Sequence, residues 1–128
     1  ICIEVVEDQL THVGDVAMDR RIANMDDGSY VGTFRFYDEL EKNAPSRIWV
    51  PGHGHASAEV LKWNRELFEG IYQNCVRAVE DGADMASARE RVLADPRVAS
   101  RAADTAGFAS NIGKYVSLAY LEAEREAF

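Results

Sequence analysis

Residues 47–54 read RIWVPGHG, a short apolar stretch that runs directly into a proline, two glycines and a histidine. The apolar part is typical of a short buried β-strand, and Pro51 ends it. The glycines on both sides of His53 let the backbone turn without steric hindrance from a Cβ atom. The stretch therefore predicts a strand that delivers a histidine into a loop at the edge of a sheet.

A second strand end of the same kind comes earlier in the chain. Apolar residues at 1–6 and 10–13 flank the polar triplet EDQ at 7–9, which has the length of a β-hairpin turn. The second of these strands ends in Gly-Asp, with the acid at Asp15. Strands that end in this way can point their last side chains into one cleft, so we expect Asp15 and His53 to lie close together.

The hydrophobic pattern is helical between these two motifs and again after them. Apolar residues at three- and four-residue steps predict one helix from Tyr30 to about Lys42, closed by Pro45. Beyond residue 56 the same spacing predicts a long helix that opens at Ser57 and stops at Asp81-Gly82. Further helix N-caps are predicted at three polar residues, Asp84, Asp95 and Asn111. The fold class is therefore α+β, with a strand, helix and strand segment in residues 1–56 and a helical region in residues 57–128.

Composition narrows the classes of partner. The chain has 128 residues, of which 47% are hydrophobic, and its formal net charge is -8. This charge repels phosphate backbones and anionic lipid headgroups, and no apolar run approaches the roughly 20 residues of a membrane-spanning helix. We therefore expect no nucleic acid and no membrane partner. The two cysteines, Cys2 and Cys75, lie far apart in sequence and are expected to be small buried hydrophobes.

The residue types at the two strand ends suit metal binding. An Asp carboxylate can bridge two cations, and a neutral His offers one ring nitrogen to zinc, iron or manganese. If both bind one ion, their donor atoms lie on the order of 4 Å apart, because each bond to zinc is about 2 Å. Taken alone, Gly14-Asp15 is more typical of a turn than of a ligand. The glycine-flanked His53 is as compatible with a turn as with a ligand.

The two motifs together resemble a known family. The order strand, Gly-Asp, helix, short strand, Pro-Gly-His-Gly is similar to the C-terminal half of the metallo-β-lactamase fold superfamily, over residues 5 to 54. The resemblance implies an αββα sandwich in which Asp15 is the metal-bridging carboxylate and His53 the final His ligand. It also implies a hydrolase with two zinc ions, in which metal-bound hydroxide attacks an ester, thioester, amide or phosphoester.

The chain lacks the other metal-ligand motif of the family. It has no H-x-H-x-D-H motif, and Ile1 enters an apolar strand without an initiator Met. We therefore expect a C-terminal fragment of a longer parent, inactive alone, with zinc absent or weakly bound. The two other histidines, His12 and His55, are expected to lie outside the site. The charged loop residues after Asp15 are expected to form a solvated cluster, comprising Arg20, Arg21, Asp26 and Asp27.

Two other functions stay open. The helical second half is compatible with a thioester hydrolase like the hydroxyacylglutathione hydrolases. The chain is also compatible with a non-catalytic, acidic, helix-rich association module. In either case a half-sandwich leaves one sheet face uncovered, and the isolated fragment is then expected to form a homo-oligomer. The apolar residues expected on that face are Ile1, Ile3, Val5, Ile48 and Val50.

Overall fold

A computed structural model describes residues 2–23, 25, 28–44 and 48–127 of the chain. Their fold is α+β, with the strands and one helix in the first part and the other described helices in the second. The chain divides into two compact units, residues 1–65 and 66–128, and the division falls inside the longest helix. The described elements, in chain order, are β1 (Ile3–Val5), β2 (Leu10–Gly14), α1 (Tyr30–Asn43), β3 (Ile48–Pro51), α2 (Val60–Glu80), α3 (Met85–Ala94), α4 (Pro96–Ala99) and α5 (Phe108–Ala127).

The described strands form one mixed sheet in the order β1, β2, β3. Strands β1 and β2 pair antiparallel as the predicted hairpin, whose turn places Gln9 at a φ of 53° and bonds its N–H to the Val6 carbonyl at 3.2 Å. Strands β2 and β3 pair parallel. Parallel neighbours need a crossover connection, and α1 lies in that connection, so the carboxyl ends of β2 and β3 meet at the same sheet edge.

The two faces of the sheet differ in exposure because side chains alternate along each strand. One face is buried and carries Thr11, Val13, Trp49 and Pro51. The opposite face leaves Ile3 60% exposed and Ile48 42% exposed. The other apolar residues expected there, Val5 and Val50, are half-buried, and Ile1 lies outside the described residues.

The predicted helix of the first unit is confirmed. Ser29 caps α1 by accepting the Gly32 N–H at 3.0 Å, and the helix ends at Asn43, one residue past the predicted end. Its inner side buries Tyr30, Tyr37 and Leu40. Pro45, predicted to close the helix, and residue 47, predicted to begin β3, lie outside the described residues.

The helical character of the region after residue 56 is also confirmed in the described part of the chain, with one boundary shifted. Ser57 was expected to open the long helix, but α2 begins at Val60. The reason is that the Ser57 backbone exchanges two hydrogen bonds with Trp49, at 3.0 and 3.1 Å, which holds it extended. At the other end α2 stops where Gly82 adopts a φ of 70°, as Asp81-Gly82 predicts.

Two of the three predicted caps of the second unit are confirmed, and the third is wrong. Asp84 caps α3 through the Ser87 N–H at 2.9 Å, and Asp95 caps α4 ahead of Pro96. Asn111 does not cap α5, because the helix already begins at Phe108. Asn111 lies in the first turn, where its side-chain amide donates to the Gly107 carbonyl at 2.9 Å. The predicted apolar face of this helix is buried and comprises Ile112, Tyr115, Val116, Ala119 and Ala123.

Both cysteines are free, but they differ in environment. Cys75 is fully buried in the second unit, where its thiol lies 3.7 Å from the Val116 carbonyl oxygen. Burial raises the pKa of the Cys75 thiol to about 12. Cys2 is only half-buried, so the expectation of a buried hydrophobe is confirmed for Cys75 alone.

Asp95 makes the stability of the second unit sensitive to acid. Its carboxylate accepts hydrogen bonds from the Arg97 guanidinium and N–H and from Asn74, and these hold its pKa at about 2. Because the pKa is depressed in the folded state, the stabilisation is complete above about pH 4 and is lost as the pH falls towards 2. We predict that Asp95→Asn, which keeps a capping oxygen, costs about 2 kcal/mol at pH 6 and much less at pH 2.5. Urea unfolding at both pH values measures the difference, and a cost that does not change with pH would contradict the prediction.

Candidate functional site

The two predicted site residues meet at the edge of the sheet. Asp15 follows the last residue of β2, and His53 lies two residues beyond β3. The Asp15 Oδ1 atom lies 3.7 Å from the His53 Nε2 atom. The side chains are 67% and 53% exposed, respectively, so both reach solvent. The proximity expected from the sequence is confirmed, and the role of the two residues as metal ligands stays a prediction.

The separation between these atoms is compatible with a shared ion. A distance of 3.7 Å is too long for a hydrogen bond between imidazole and carboxylate. Zinc bonds of about 2.0–2.2 Å in a tetrahedral arrangement place two donor atoms about 3.4 Å apart. A small rotation of either exposed side chain covers the difference. Asp15 and His53 can therefore supply two donors to one cation.

Gly52 is required for this approach of the two strand ends. Its N–H donates to the Gly14 carbonyl at 2.7 Å, which continues the pairing of β2 with β3 past the last strand residues. A Cβ atom at position 52 would lie 1.9 Å from the Asp15 Oδ1 atom and 2.9 Å from the Gly14 carbonyl carbon. Only glycine lets the loop pass this close to the Asp15 carboxylate.

Asp19 joins the loop after β2 to the loop after β3. Its N–H donates to the His53 carbonyl at 3.1 Å, and its Oδ2 atom accepts the His55 N–H at 3.0 Å. Between these two bonds Gly54 adopts a φ of 90°, with the position of its missing Cβ only 2.4 Å from the Asp19 Cβ atom. The Asp19 side chain is 24% exposed, much less than that of Asp15.

Two buried side chains hold the segment that follows Asp15. Asn64 on α2 accepts the Met18 N–H at 3.2 Å and donates to the Met18 carbonyl at 2.9 Å. The Tyr37 hydroxyl on α1 donates to the Val16 carbonyl at 2.7 Å, and burial raises the pKa of this phenol. These supports were missed at the level of sequence. The available signal was Asn64 itself, a polar residue in line with the apolar positions of α2.

The remaining charged candidates lie outside the pair. His12 is on the exposed face of the sheet, where its Nδ1 atom accepts the Gly14 N–H at 3.2 Å. The His55 side chain is exposed, and its contribution to the loop is its backbone N–H. Arg20 and Arg21 are also exposed, with the Arg20 Nε atom 4.0 Å from Asp19. The two acids of the expected cluster, Asp26 and Asp27, lie outside the described residues.

No group of three or more His, Cys, Asp and Glu side chains is arranged to hold a metal ion among residues 2–23, 25, 28–44 and 48–127. Within the same ranges, every helix is too short or too polar to cross a membrane. Neither a protein-family model nor a curated protein matches this chain. The resemblance to the metallo-β-lactamase superfamily therefore depends on the two strand-end motifs.

Proposed function

We propose that this chain is the C-terminal part of a zinc-dependent hydrolase of the metallo-β-lactamase superfamily, in which Asp15 is the bridging carboxylate and His53 a terminal ligand. The parent acts on a small molecule with an ester, thioester, amide or phosphoester bond, and it holds two zinc ions in an αββα sandwich. The observation that carries the proposal is the 3.7 Å separation of the two donor atoms at the ends of parallel neighbouring strands.

The donor set fits zinc but does not complete a catalytic site. A catalytic zinc has three protein ligands and one open position. Asp15 and His53 provide two donors, one hard oxygen and one borderline nitrogen, which is a combination that zinc accepts. In this proposal the remaining histidines come from the N-terminal half of the parent. The present chain alone then binds zinc weakly and has no hydrolytic activity.

The chain itself contributes the two donors, Asp15 and His53, and the hydrogen bonds that hold their backbone in place. When bound, zinc polarises the scissile group and lowers the pKa of a coordinated water. Asp15 has two carboxylate oxygens, so it can bind one ion with each. The Gly52 N–H bond to the Gly14 carbonyl fixes the spacing of the strand ends that carry the donors.

Zinc titration of the isolated chain, followed by NMR of the histidine rings, tests the proposal. We expect the His53 signals to shift and the His12 signals to remain unchanged. Asp15→Ala and His53→Ala should each weaken zinc binding at least about tenfold, since even the loss of a supporting group commonly costs 10- to 100-fold. His12→Ala is the matched control and should bind zinc as the unmodified chain does. Zinc that binds elsewhere in the chain and leaves the His53 signals unaffected would refute the proposed role of His53.

A second candidate function is a non-catalytic association module, favoured by the exposure of Ile3 and Ile48 on one sheet face. A second copy of this chain can cover that face, and burial of the exposed apolar area would then contribute roughly 25 cal/mol per Å². We predict a dimer or higher oligomer in sedimentation at micromolar concentration. Ile3→Lys with Ile48→Lys should raise the dissociation constant at least about tenfold, because each lysine would bring an unpaired charge into the interface. A monomer at every concentration would contradict this prediction.

A further inference from the structure

We propose that Asp19 is the positioning residue of the candidate metal site: it holds the loop of His53 against the loop of Asp15 so that the two donors stay within reach of one ion. This inference rests on the proposed function, which it extends by one residue. Asp19 is not assigned as a ligand, because among the described residues it forms no metal-binding group with Asp15 and His53, and its Oδ2 atom accepts the His55 N–H at 3.0 Å.

Among the described residues, three hydrogen bonds join the loop after β3 to the end of β2 and to the loop that follows it. The Gly52 N–H donates to the Gly14 carbonyl at 2.7 Å, next to the strand ends. The other two both involve Asp19, and they reach the residues on either side of Gly54, at 3.1 Å to the His53 carbonyl and 3.0 Å from the His55 N–H. The loop that carries His53 is therefore bonded to Gly14 through Gly52, and to Asp19 through His53 and His55.

The close contact at Gly54 shows that the two loops fit tightly. A φ of 90° is a backbone conformation that residues with a Cβ atom rarely adopt. In this conformation Gly54 lies against Asp19, so a Cβ atom added to Gly54 would be 2.4 Å from the Asp19 Cβ atom. Next to this contact, the Asp19 carboxylate accepts the His55 N–H. Of the three hydrogen bonds, only this one uses a side chain, so only this one can be removed by a side-chain substitution.

Removal of the hydrogen bond between Asp19 and His55 should lower the zinc affinity, because the loop that carries His53 becomes less ordered. A ligand on a loose loop must lose conformational freedom when the ion binds, whereas a ligand on a fixed loop has already lost it. Groups that orient a ligand commonly change metal affinity by 10- to 100-fold. Among the described residues no third side chain joins Asp15 and His53 in a metal-binding group, so nothing there compensates for a displaced His53.

Three variants separate positioning from general stability. Asp19→Ala removes the acceptor, and Asp19→Asn keeps an acceptor oxygen while it removes the charge. Asp84→Ala is the matched control, because the Asp84 carboxylate also accepts a backbone N–H, at 2.9 Å, but in the second unit. The probes are zinc affinity by calorimetry and, in the metal-free chain, hydrogen exchange of the His55 amide. We expect D19A to weaken zinc binding 10- to 100-fold and to speed His55 exchange at least about tenfold, and D19N and D84A to stay within about threefold of the unmodified chain.

The outcomes distinguish this inference from the function on which it rests. Equal zinc affinity and equal His55 exchange in D19A and the unmodified chain would overturn the role of Asp19 and leave the proposed function standing. Zinc that binds elsewhere in the unmodified chain and leaves His53 unaffected counts against the proposed function, and His55 exchange in D19A still decides whether Asp19 holds the loop. D19N keeps the test decisive should D19A not fold, because a tenfold loss of zinc affinity in D19N would overturn the hydrogen-bond account.

Discussion

Gly52→Ala is expected to move Asp15 away from His53 and to weaken zinc binding by the chain. The added Cβ atom would lie 1.9 Å from the Asp15 Oδ1 atom and 2.9 Å from the Gly14 carbonyl carbon. The carboxylate can rotate away, but the backbone carbon can move only if the two strand ends move apart. Overpacking of this kind costs about 1–3 kcal/mol, and we expect the zinc affinity to fall at least about tenfold.

Gly32→Ala is the matched control for this substitution. Position 32 lies in α1, where an added Cβ atom would be 3.4 Å from its nearest neighbour, the Ser29 Cβ atom. Alanine is favoured over glycine inside a helix by about 0.8–1.0 kcal/mol, so this variant should be as stable as the unmodified chain or slightly more stable. Urea unfolding and zinc calorimetry on both variants provide the measurement. A Gly52→Ala chain with unchanged stability and unchanged zinc affinity would show that the loops do not meet as described.

Asn64→Leu is expected to destabilise the first unit by about 2–5 kcal/mol. The substitution keeps a similar volume but removes the partners of the Met18 N–H and the Met18 carbonyl. Asn64 is fully buried and Met18 is 7% exposed, so little water can reach either backbone group. Each unsatisfied buried group costs about 1–3 kcal/mol, and the cost of two such groups exceeds what the leucine gains by its apolar character.

The control for Asn64→Leu is the same exchange at Asn43, an exposed residue at the end of α1. We expect a change of at most about 0.5 kcal/mol there. Chemical denaturation of both variants gives the comparison. Equal effects at the two positions would mean that Asn64 does not hold the segment after Asp15.

The parts of the fold that were predictable depend on signals that act over a few residues. The hairpin turn joins two backbone groups three residues apart, and the caps at Asp84 and Asp95 each join a side chain and a backbone N–H within three residues. Asn111 was misassigned because its short polar side chain suits a cap, whereas the buried Phe108 extends the helix past it. Tertiary packing there overrides the local preference.

The candidate site was predictable only in its two principal residues. Asp15 and His53 follow recognisable strand ends, so their motifs mark them. The residues that hold their loops in place make contacts between positions far apart in the sequence. Asp19 and His55 are 36 positions apart, and Met18 and Asn64 are 46 positions apart. No local pattern distinguishes a loop aspartate that accepts such a bond from one that faces water.

The buried Cys75 thiol offers a way to follow the opening of the second unit alone. Alkylating reagents attack the thiolate, and burial raises the pKa of the Cys75 thiol to about 12, so the thiolate is a minor form near neutral pH. Its side chain is also fully buried, so the reagent can reach it only while the surrounding helices are transiently open. In a Cys2→Ser chain, the rate of alkylation therefore reports how often these helices open, and its dependence on urea distinguishes a local fluctuation from global unfolding.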